Sequence, residues 1–440
     1  MKSNISKTNT VRNYILELLE KGAIGPGDKI PGARQIASTL GISLLTVQIA
    51  IASMAKEGIL RLASRQGTFI SENVHDRILQ NNFSGYISWD EIPWSGEFRN
   101  RISGKLSQLH FTHFWKKSIF EIRTTPDVWV DRGQFVDLKP FFDRLYPDKS
   151  DFFEQPLATY SRDGAIYGIP LLFSPRVMFV NNAIFREAQV EIPQADWNWD
   201  EFFTVIAELL QKLPAEKVFS WHLSPYLWLN FVFACGGSII DPTAADPIRF
   251  DTPQSRRGLK IFQKLGKMLG AGTNFVRHNF VNNNVALAIE PRQTVGRLKQ
   301  NNIDDYTVLP IPTDDGVPSA TIQATEIFCV RKGCADMETA ALLLETLLSQ
   351  DFQDYLAELK YAIPLRKSSA AKTFAITSAR DAVFRDGIAN IRSRYHFDER
   401  ELYSLIPQSI GKLLVSADDL DSALKEFADN LRNISKIVYS

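Results

Sequence analysis

Ala33-Arg34-Gln35-Ile36-Ala37-Ser38-Thr39-Leu40-Gly41-Ile42-Ser43-Leu44-Leu45-Thr46-Val47-Gln48-Ile49-Ala50-Ile51 is the stretch that decides how the N-terminal part of this chain folds. Ile36, Ala37 and Leu40 share one face of a short helix. Gly41 breaks that helix, and Ser43 is placed to N-cap a second one running to about Gly58. Val47, Ala50, Ile51 and Met54 form the buried stripe of the second helix. Two helices around such a break have helix–turn–helix spacing, in which the N-terminal residues of the second helix face outward from the fold. Upstream, Val11, Tyr14, Ile15, Leu18 and Leu19 make a further helical stripe closed by Gly22. The loop Gly25-Pro26-Gly27-Asp28-Lys29-Ile30-Pro31-Gly32 cannot be helical. Downstream, residues 59–62 and 68–70 alternate around a turn containing Gly67, as a wing hairpin would.

The whole chain has 440 residues, 45% hydrophobic and 23% charged, which predicts a soluble protein of two to three domains. Its 50 Lys and Arg balance 50 Asp and Glu, but unevenly. Residues 1–72 hold nine basic against five acidic side chains, a net +4, so the remainder carries −4. A modestly basic first domain is compatible with phosphate contact. Met1-Lys2-Ser3-Asn4-Ile5-Ser6-Lys7 opens without an apolar signal core, and no run of about 18 apolar residues exists, so a cytoplasmic protein without membrane attachment is expected. Cys235, Cys329 and Cys334 are too few and too unevenly spaced for a disulfide framework or zinc site. His110 and His113 lack further ligands at metal spacing, so no metal and no cofactor is expected.

Residues 73–84 are polar and read as a linker. From residue 85 to 440, short apolar runs alternate with amphipathic helices, the pattern of an α/β region. Candidate strands are 85–89, 127–130, 169–173, 177–180, 285–289, 306–309 and 327–330; candidate helices are 200–213, 255–269, 337–348, 351–359 and 420–433.

The segments Gly25-Pro26-Gly27-Asp28-Lys29-Ile30-Pro31, Arg34-Gln35-Ile36-Ala37, Gly41-Ile42-Ser43, Thr46-Val47, Glu57-Gly58-Ile59-Leu60 and Gly67-Thr68-Phe69-Ile70 resemble the GntR family of winged-helix bacterial regulators. They cover essentially all of 1–72 in the family's order. The resemblance implies binding of double-stranded operator DNA as a homodimer. It places Arg34, Ser43, Thr46, Gln48, Arg65, Gln66 and Gly67 at or beside DNA contacts. Leu44 and Gln48 stand where the family often has arginine. Arginine reads guanine and glutamine suits adenine, so the preferred base sequence does not carry over.

Further on, Pro126-Asp127-Val128-Trp129, Val136-Asp137-Leu138-Lys139-Pro140 and Asp163-Gly164-Ala165-Ile166-Tyr167-Gly168-Ile169-Pro170 resemble carbohydrate-type extracellular solute-binding proteins, the receptors of ABC importers. So do Val177-Met178-Phe179-Val180-Asn181-Asn182, Trp199-Asp200-Glu201-Phe202-Phe203, Val308-Leu309-Pro310-Ile311-Pro312 and Tyr361-Ala362-Ile363-Pro364. The resemblance implies two α/β lobes joined by hinge strands, with a small-molecule ligand between them. A sugar clamp wants aromatic faces and a rim of carboxylates, amides or arginine. Tyr226 and Trp228 match a stacking segment of the maltose-binding relatives and are the first candidates. Trp89 with Asp90, and Trp129 with Asp131, end expected strands; Glu326 precedes a late strand, and Arg176 sits by the first hinge crossing. Trp197 and Trp199 read as core. Where the family has an aromatic stacking unit, this chain has Glu290-Pro291-Arg292, so Glu290 and Arg292 point to a charged or smaller ligand.

The combined expectation is a winged helix–turn–helix fused to a two-lobed α/β sensor, acting as a ligand-responsive regulator of carbohydrate uptake or utilisation genes. No catalytic residue is assigned. A transport receptor proper is the alternative, although no export signal or lipobox cysteine is read. A pyridoxal-phosphate aminotransferase fusion ranks below it, for want of a Schiff-base lysine setting.

Overall fold

The computed structural model describes residues 7–20, 22–74, 84–87, 92–103, 110–111, 120–123, 128, 130–162, 164–241, 244–272, 279–282, 284–332, 337–374, 378–392 and 400–438. At the N-terminus, α1 (Lys7–Glu20), α2 (Ala33–Leu40) and α3 (Leu44–Lys56) enclose a core of Val11, Ile15, Ile36, Val47, Ile51 and Met54. Gly41 closes α2 in the left-handed conformation with φ 63°, and the Ser43 hydroxyl caps α3 by accepting from the Thr46 amide at 3.2 Å. The sequence placed both punctuation marks correctly, because each is a local backbone requirement.

The wing is a hairpin of β1 (Leu60–Ala63) and β2 (Gly67–Ile70) with Ala63 opposite Gly67. Arg65 turns it with φ 61°. The Gly-Pro-Gly-Asp loop folds back as a partial third strand: Ile30 N donates to Thr68 O at 3.0 Å, and Ile70 N donates to Asp28 O at 2.8 Å. Gly67 has φ 119°, a conformation that side chains rarely adopt, and a Cβ there would also displace the Lys29 side chain, whose Cε would stand 2.5 Å away.

The first lobe is built on a six-stranded sheet in the order Ile363–Pro364, Ile169–Ser174, Ala324–Val330, Phe120–Arg123, Ser84–Ile87, His110–Phe111. Ser84–Ile87 pairs in parallel with both of its neighbours, and the remaining pairs are antiparallel. Trp94, Phe98, Phe142, Phe152, Leu172, Phe328 and Phe352 fill this lobe's core. The second lobe has a three-stranded sheet with Arg176–Asn181 between Leu287–Pro291 and Tyr306–Leu309. Its large core joins Trp199, Phe202, Phe219, Trp228, Phe231 and Phe262 with Ile410 and Leu424 from the helices Arg400–Ser416 and Leu420–Val438.

One uninterrupted stretch links the lobes. Ile169–Ser174 lies in the first sheet, Arg176–Asn181 in the second, and only Pro175 separates them. Buried on both faces, it reads as a continuous apolar run rather than an alternating one. Residues 320–324 make another passage, and a third lies between Pro364 in the first sheet and Phe384 in the second lobe's core.

The expected strand at 127–130 does not form over its described positions. Val128 lies in a 3-10 turn and Val130 in a turn, while Asp127 and Trp129 lie outside the described residues. The strand at 306–309 and the helix at 337–348 occur with the expected ends, and the other expected helices and strands from residue 169 onward occur with ends shifted by one to five residues. Helix Trp199–Leu210 starts where a capping box closes it: the Asn198 carboxamide accepts from the Asp200 and Glu201 amides, and Asn198 N donates to Glu201 at 2.8 Å.

Helices Pro225–Ala234 and Pro253–Met268 meet at Gly258, where a Cβ would stand 2.5 Å from Phe231 O and 2.6 Å from Val232 Cα. Gly258→Ala must therefore separate two backbones, at a cost of about 1–3 kcal/mol or more. The expected outcome is a lower Tm in thermal unfolding; an unchanged Tm would mean the helices part freely.

Candidate functional site

The cleft between the lobes has a volume of about 390 Å³. Its wall is assembled around the hinge strand, whose register sets Arg176 opposite Pro291 and Val177 opposite Glu290. Arg176 N is anchored by donating to Thr321 Oγ1 at 3.0 Å, so the guanidinium leaves from a fixed backbone. The Arg176 guanidinium lies over the Tyr226 ring, 5.4 Å from its centroid, a cation–π pair at the cleft wall.

Tyr226 owes its place to the helix it begins. Ser224 caps Pro225–Ala234, and proline at the first position needs no amide partner. Asn230, fully buried, then ties this helix to the second crossing: its carbonyl oxygen accepts from Ile322 N at 3.1 Å, and its amide donates to Tyr226 O at 2.7 Å. The aromatic is thus held against the hinge rather than left on a loop.

Glu326 reaches the cleft from the first lobe's sheet and is 2% exposed. Trp94 Nε1 donates to its Oε2 at 2.5 Å, and the Tyr361 hydroxyl donates to the same carboxyl. Burial pushes the Glu326 carboxyl up to about 7, against the pull of these two donors. Burial, and then the nearby Glu326 carboxyl, push the Tyr361 phenol up as well.

Of the sequence-read ligand candidates, Arg176, Tyr226, Glu290 and Glu326 line this one cleft. Trp228 does not: at 0% exposure it is packed in the second lobe's core. The helical turn explains the difference, since two positions along a helix rotate a side chain to the opposite face. Arg292 is a second correction. It is 1% exposed, its guanidinium is paired with Asp381, and it lies between the rings of Phe374 and Phe384. It is an internal strut of the second lobe, so the charge inferred from it does not face a ligand. Asp131 is a third. It is buried in the first lobe and bonded to Arg123 at 3.1 Å, which also meets Glu121 at 3.0 Å. It stands at the start of the 3-10 turn Arg132–Gln134 rather than at the end of a strand. Trp89, Asp90 and Trp129 lie outside the described residues. Trp197 and Trp199 are buried core residues.

Sequence reasoning did not pick out His222, Thr325, Gln293, Arg297 and Tyr361, which also line the cleft. Three of these carried a signal. Tyr361 opens the Tyr-Ala-Ile-Pro landmark, and Gln293 and Arg297 are one helical turn apart just after the cleft strand.

In the N-terminal domain, Arg34, Gln48, Arg65, Gln66 and Gly67 are exposed on α2, α3 and the wing tip. Thr46 is half-buried, and its hydroxyl lies 2.7 Å from that of Ser43, so this pair defines how α3 begins. Among the described residues there is no group of three or more His, Cys, Asp or Glu positioned to hold a metal, and no single helix long and apolar enough to cross a membrane.

Comparison with known proteins assigns the two parts separately. The profile of bacterial extracellular solute-binding proteins matches residues 121–382, and that of gntR-family bacterial regulatory proteins matches residues 7–70. Neither is an enzyme family. The HTH-type transcriptional repressor YtrA of Bacillus subtilis is 34% identical over 68 residues, 16% of this chain and 52% of the repressor. A protein of Brucella abortus described as a binding protein is 21% identical over 250 residues, 54% of this chain and 59% of its own. The chain thus spans little more than half the length of either relative. An ABC transporter solute-binding protein from Thermotoga lettingae, solved with α-D-tagatose bound, superposes with a TM-score of 0.67 at 15% identity, covering 80% of this chain and 99% of that one.

Glu326 sets the sign of one pH effect. The native carboxyl holds its proton to about pH 7, whereas an unfolded one loses it near about 4.3. Between those values the folded state binds the extra proton, so this group's contribution is complete at low pH and is lost as pH rises through 7. Glu326→Gln removes the titration. The expected outcome is a Tm difference between pH 5 and pH 8 that is smaller in the variant than in the parent; parallel profiles would show that the carboxyl is ionised throughout.

Proposed function

We propose that this chain, which belongs to the bacterial extracellular solute-binding protein family and carries a gntR-type regulatory domain ahead of that region, is a transcriptional regulator that senses a sugar or related small polar solute. The single observation that carries the reading is covalent: a winged helix–turn–helix and a hinged two-lobe clamp with a lined cleft share one polypeptide. Closure on a solute changes how the lobes sit, and a solute biases DNA binding by the difference in its affinity for the two states.

The lining supports a hydroxyl-rich solute. Tyr226 and Tyr361 offer ring faces, while Arg176, Arg297, Glu290, Gln293 and Thr325 supply donors and acceptors for a polar rim. Ligand pockets run from about 300 to 1,000 Å³, so a cleft of about 390 Å³ fits a small solute better than a long oligosaccharide. The tagatose held by the Thermotoga neighbour makes monosaccharides the first class to test. On this reading the protein works in the cytoplasm as a dimer on paired half-sites about 34 Å apart, or a multiple of that. Its targets are genes for uptake or use of the solute. Arg34, Thr46, Gln48 and the wing tip, Arg65 to Gly67, are the proposed DNA contacts, with Ser43 setting the helix that presents them.

A thermal-shift screen against mono- and disaccharides tests the sensor, because a ligand at about 100 times its Kd adds roughly 2.7 kcal/mol to stability. The hit is then added to a mobility-shift assay on the chain's own upstream DNA. A change in the shifted fraction is expected. Tyr226→Ala should abolish both responses while keeping a cooperative melt. DNA binding that ignores every solute leaves a constitutive DNA binder and ends the sensor reading.

A further inference from the structure

Among the described residues, large apolar side chains are exposed at few places, and most of them lie on the small N-terminal domain. Leu44, Leu45 and Ile49 of α3 are 37%, 67% and 53% exposed, and Leu62 of the wing strand β1 is 58% exposed. Scattered single cases need no explanation, but these are not scattered. Positions 44, 45, 48 and 49 are related by steps of four, so Leu44, Leu45, Gln48 and Ile49 form one outward face over the first turns of α3. The inward face is fully occupied by Val47, Ala50, Ile51 and Met54, so the exposure is not a packing defect.

That face has no charge. From Leu44 to Ala55 the helix contains no Lys, Arg, Asp or Glu, and Gln48 is the amide among the apolar residues. The basic groups stand apart from it, with Arg34 on α2 and Arg65 on the wing tip. The geometry points to a base-reading face specialised for A·T pairs, in which Leu44, Leu45 and Ile49 pack on thymine 5-methyl groups while Gln48 takes the adenine edge. The inference deepens the proposed function, and rests on its assignment of α3 to the major groove.

The chemistry follows from what each base pair presents there. The thymine 5-methyl is the one apolar group on a major-groove edge, and adenine offers an N7 acceptor beside an N6 donor that a carboxamide meets with two hydrogen bonds. Guanine presents two acceptors, which call for a guanidinium or ammonium, and this face has neither. Setting leucines against a guanine or cytosine edge would desolvate polar groups without replacing their hydrogen bonds, a selective penalty on the wrong operator. Affinity without sequence preference is left to the separate basic groups and the phosphates.

The experiment selects binding sites for the full-length protein from a random duplex library, then replaces thymine by deoxyuridine in the selected core. That exchange removes only the methyl and preserves base pairing. The expected selection is a half-site core of A·T pairs. Deoxyuridine should weaken binding about three- to four-fold per contacted methyl, the share of one buried methyl group. Leu45→Ala with Ile49→Ala should lower affinity for the thymine duplex and erase the difference between the thymine and deoxyuridine duplexes. Because both side chains are exposed, the variant keeps the parent Tm. A core dominated by G·C pairs, or equal affinity for thymine and deoxyuridine duplexes, overturns the inference while leaving the regulator reading standing. Enrichment of no duplex overturns both. A change in oligomeric state of the DNA-free variant overturns the inference too, by showing that another protein surface covers this face.

Discussion

Pro175 is where the sensor region is decided. On one side of it the backbone is zipped into a six-stranded sheet, on the other into a three-stranded one, and the two hydrogen-bond ladders are a single residue apart. The backbone passes directly from one ladder into the other, so no loop is interposed between the lobes at this crossing. Side-chain hydroxyls finish the joint. Ser174 donates to Pro175 O at 2.6 Å and accepts from Arg292 N at 2.9 Å, and Thr321 from the second passage accepts from Arg176 N. The cleft wall is fixed as a by-product: Arg176, Glu290 and Tyr226 are all held by the groups that hold the hinge.

How far the sequence discloses such a structure depends on the range of the forces involved. The helix–turn–helix was legible because its determinants are local: a left-handed glycine at 41, a capping serine at 43 and a four-residue periodicity in α3. The hinge strands were legible because a strand buried on both faces must be apolar throughout. Which side chain faces the cleft was less so. Tyr226 and Trp228 are separated by one residue, yet one meets Arg176 and the other vanishes into the core. Nothing in the composition of Pro-Tyr-Leu-Trp distinguishes them; the tie from Asn230 to Ile322 does, across 92 positions of chain.

Arg292 teaches the same lesson about charge. Read in sequence, Arg292 in place of an aromatic, beside Glu290, points to a charged or smaller ligand. In the fold it meets Asp381, far along the chain, and the two neutralise each other within the second lobe. A buried ion pair of this kind seldom adds net stability, but removing one partner is costly because the other is left charged and unhydrated. The cleft takes its charged character from Arg176, Arg297 and Glu290 instead.

The strand Ser84–Ile87 lies inside the first sheet with a parallel neighbour on each side, and it is the next described element after the wing domain. A tether that enters a sheet through an interior strand is clamped along both edges, so tension on it loads the first lobe as a whole instead of peeling off a border strand. Mechanically that lobe is the mount. The second lobe, bearing the C-terminal helix pair, follows it in the chain from Arg176 onward.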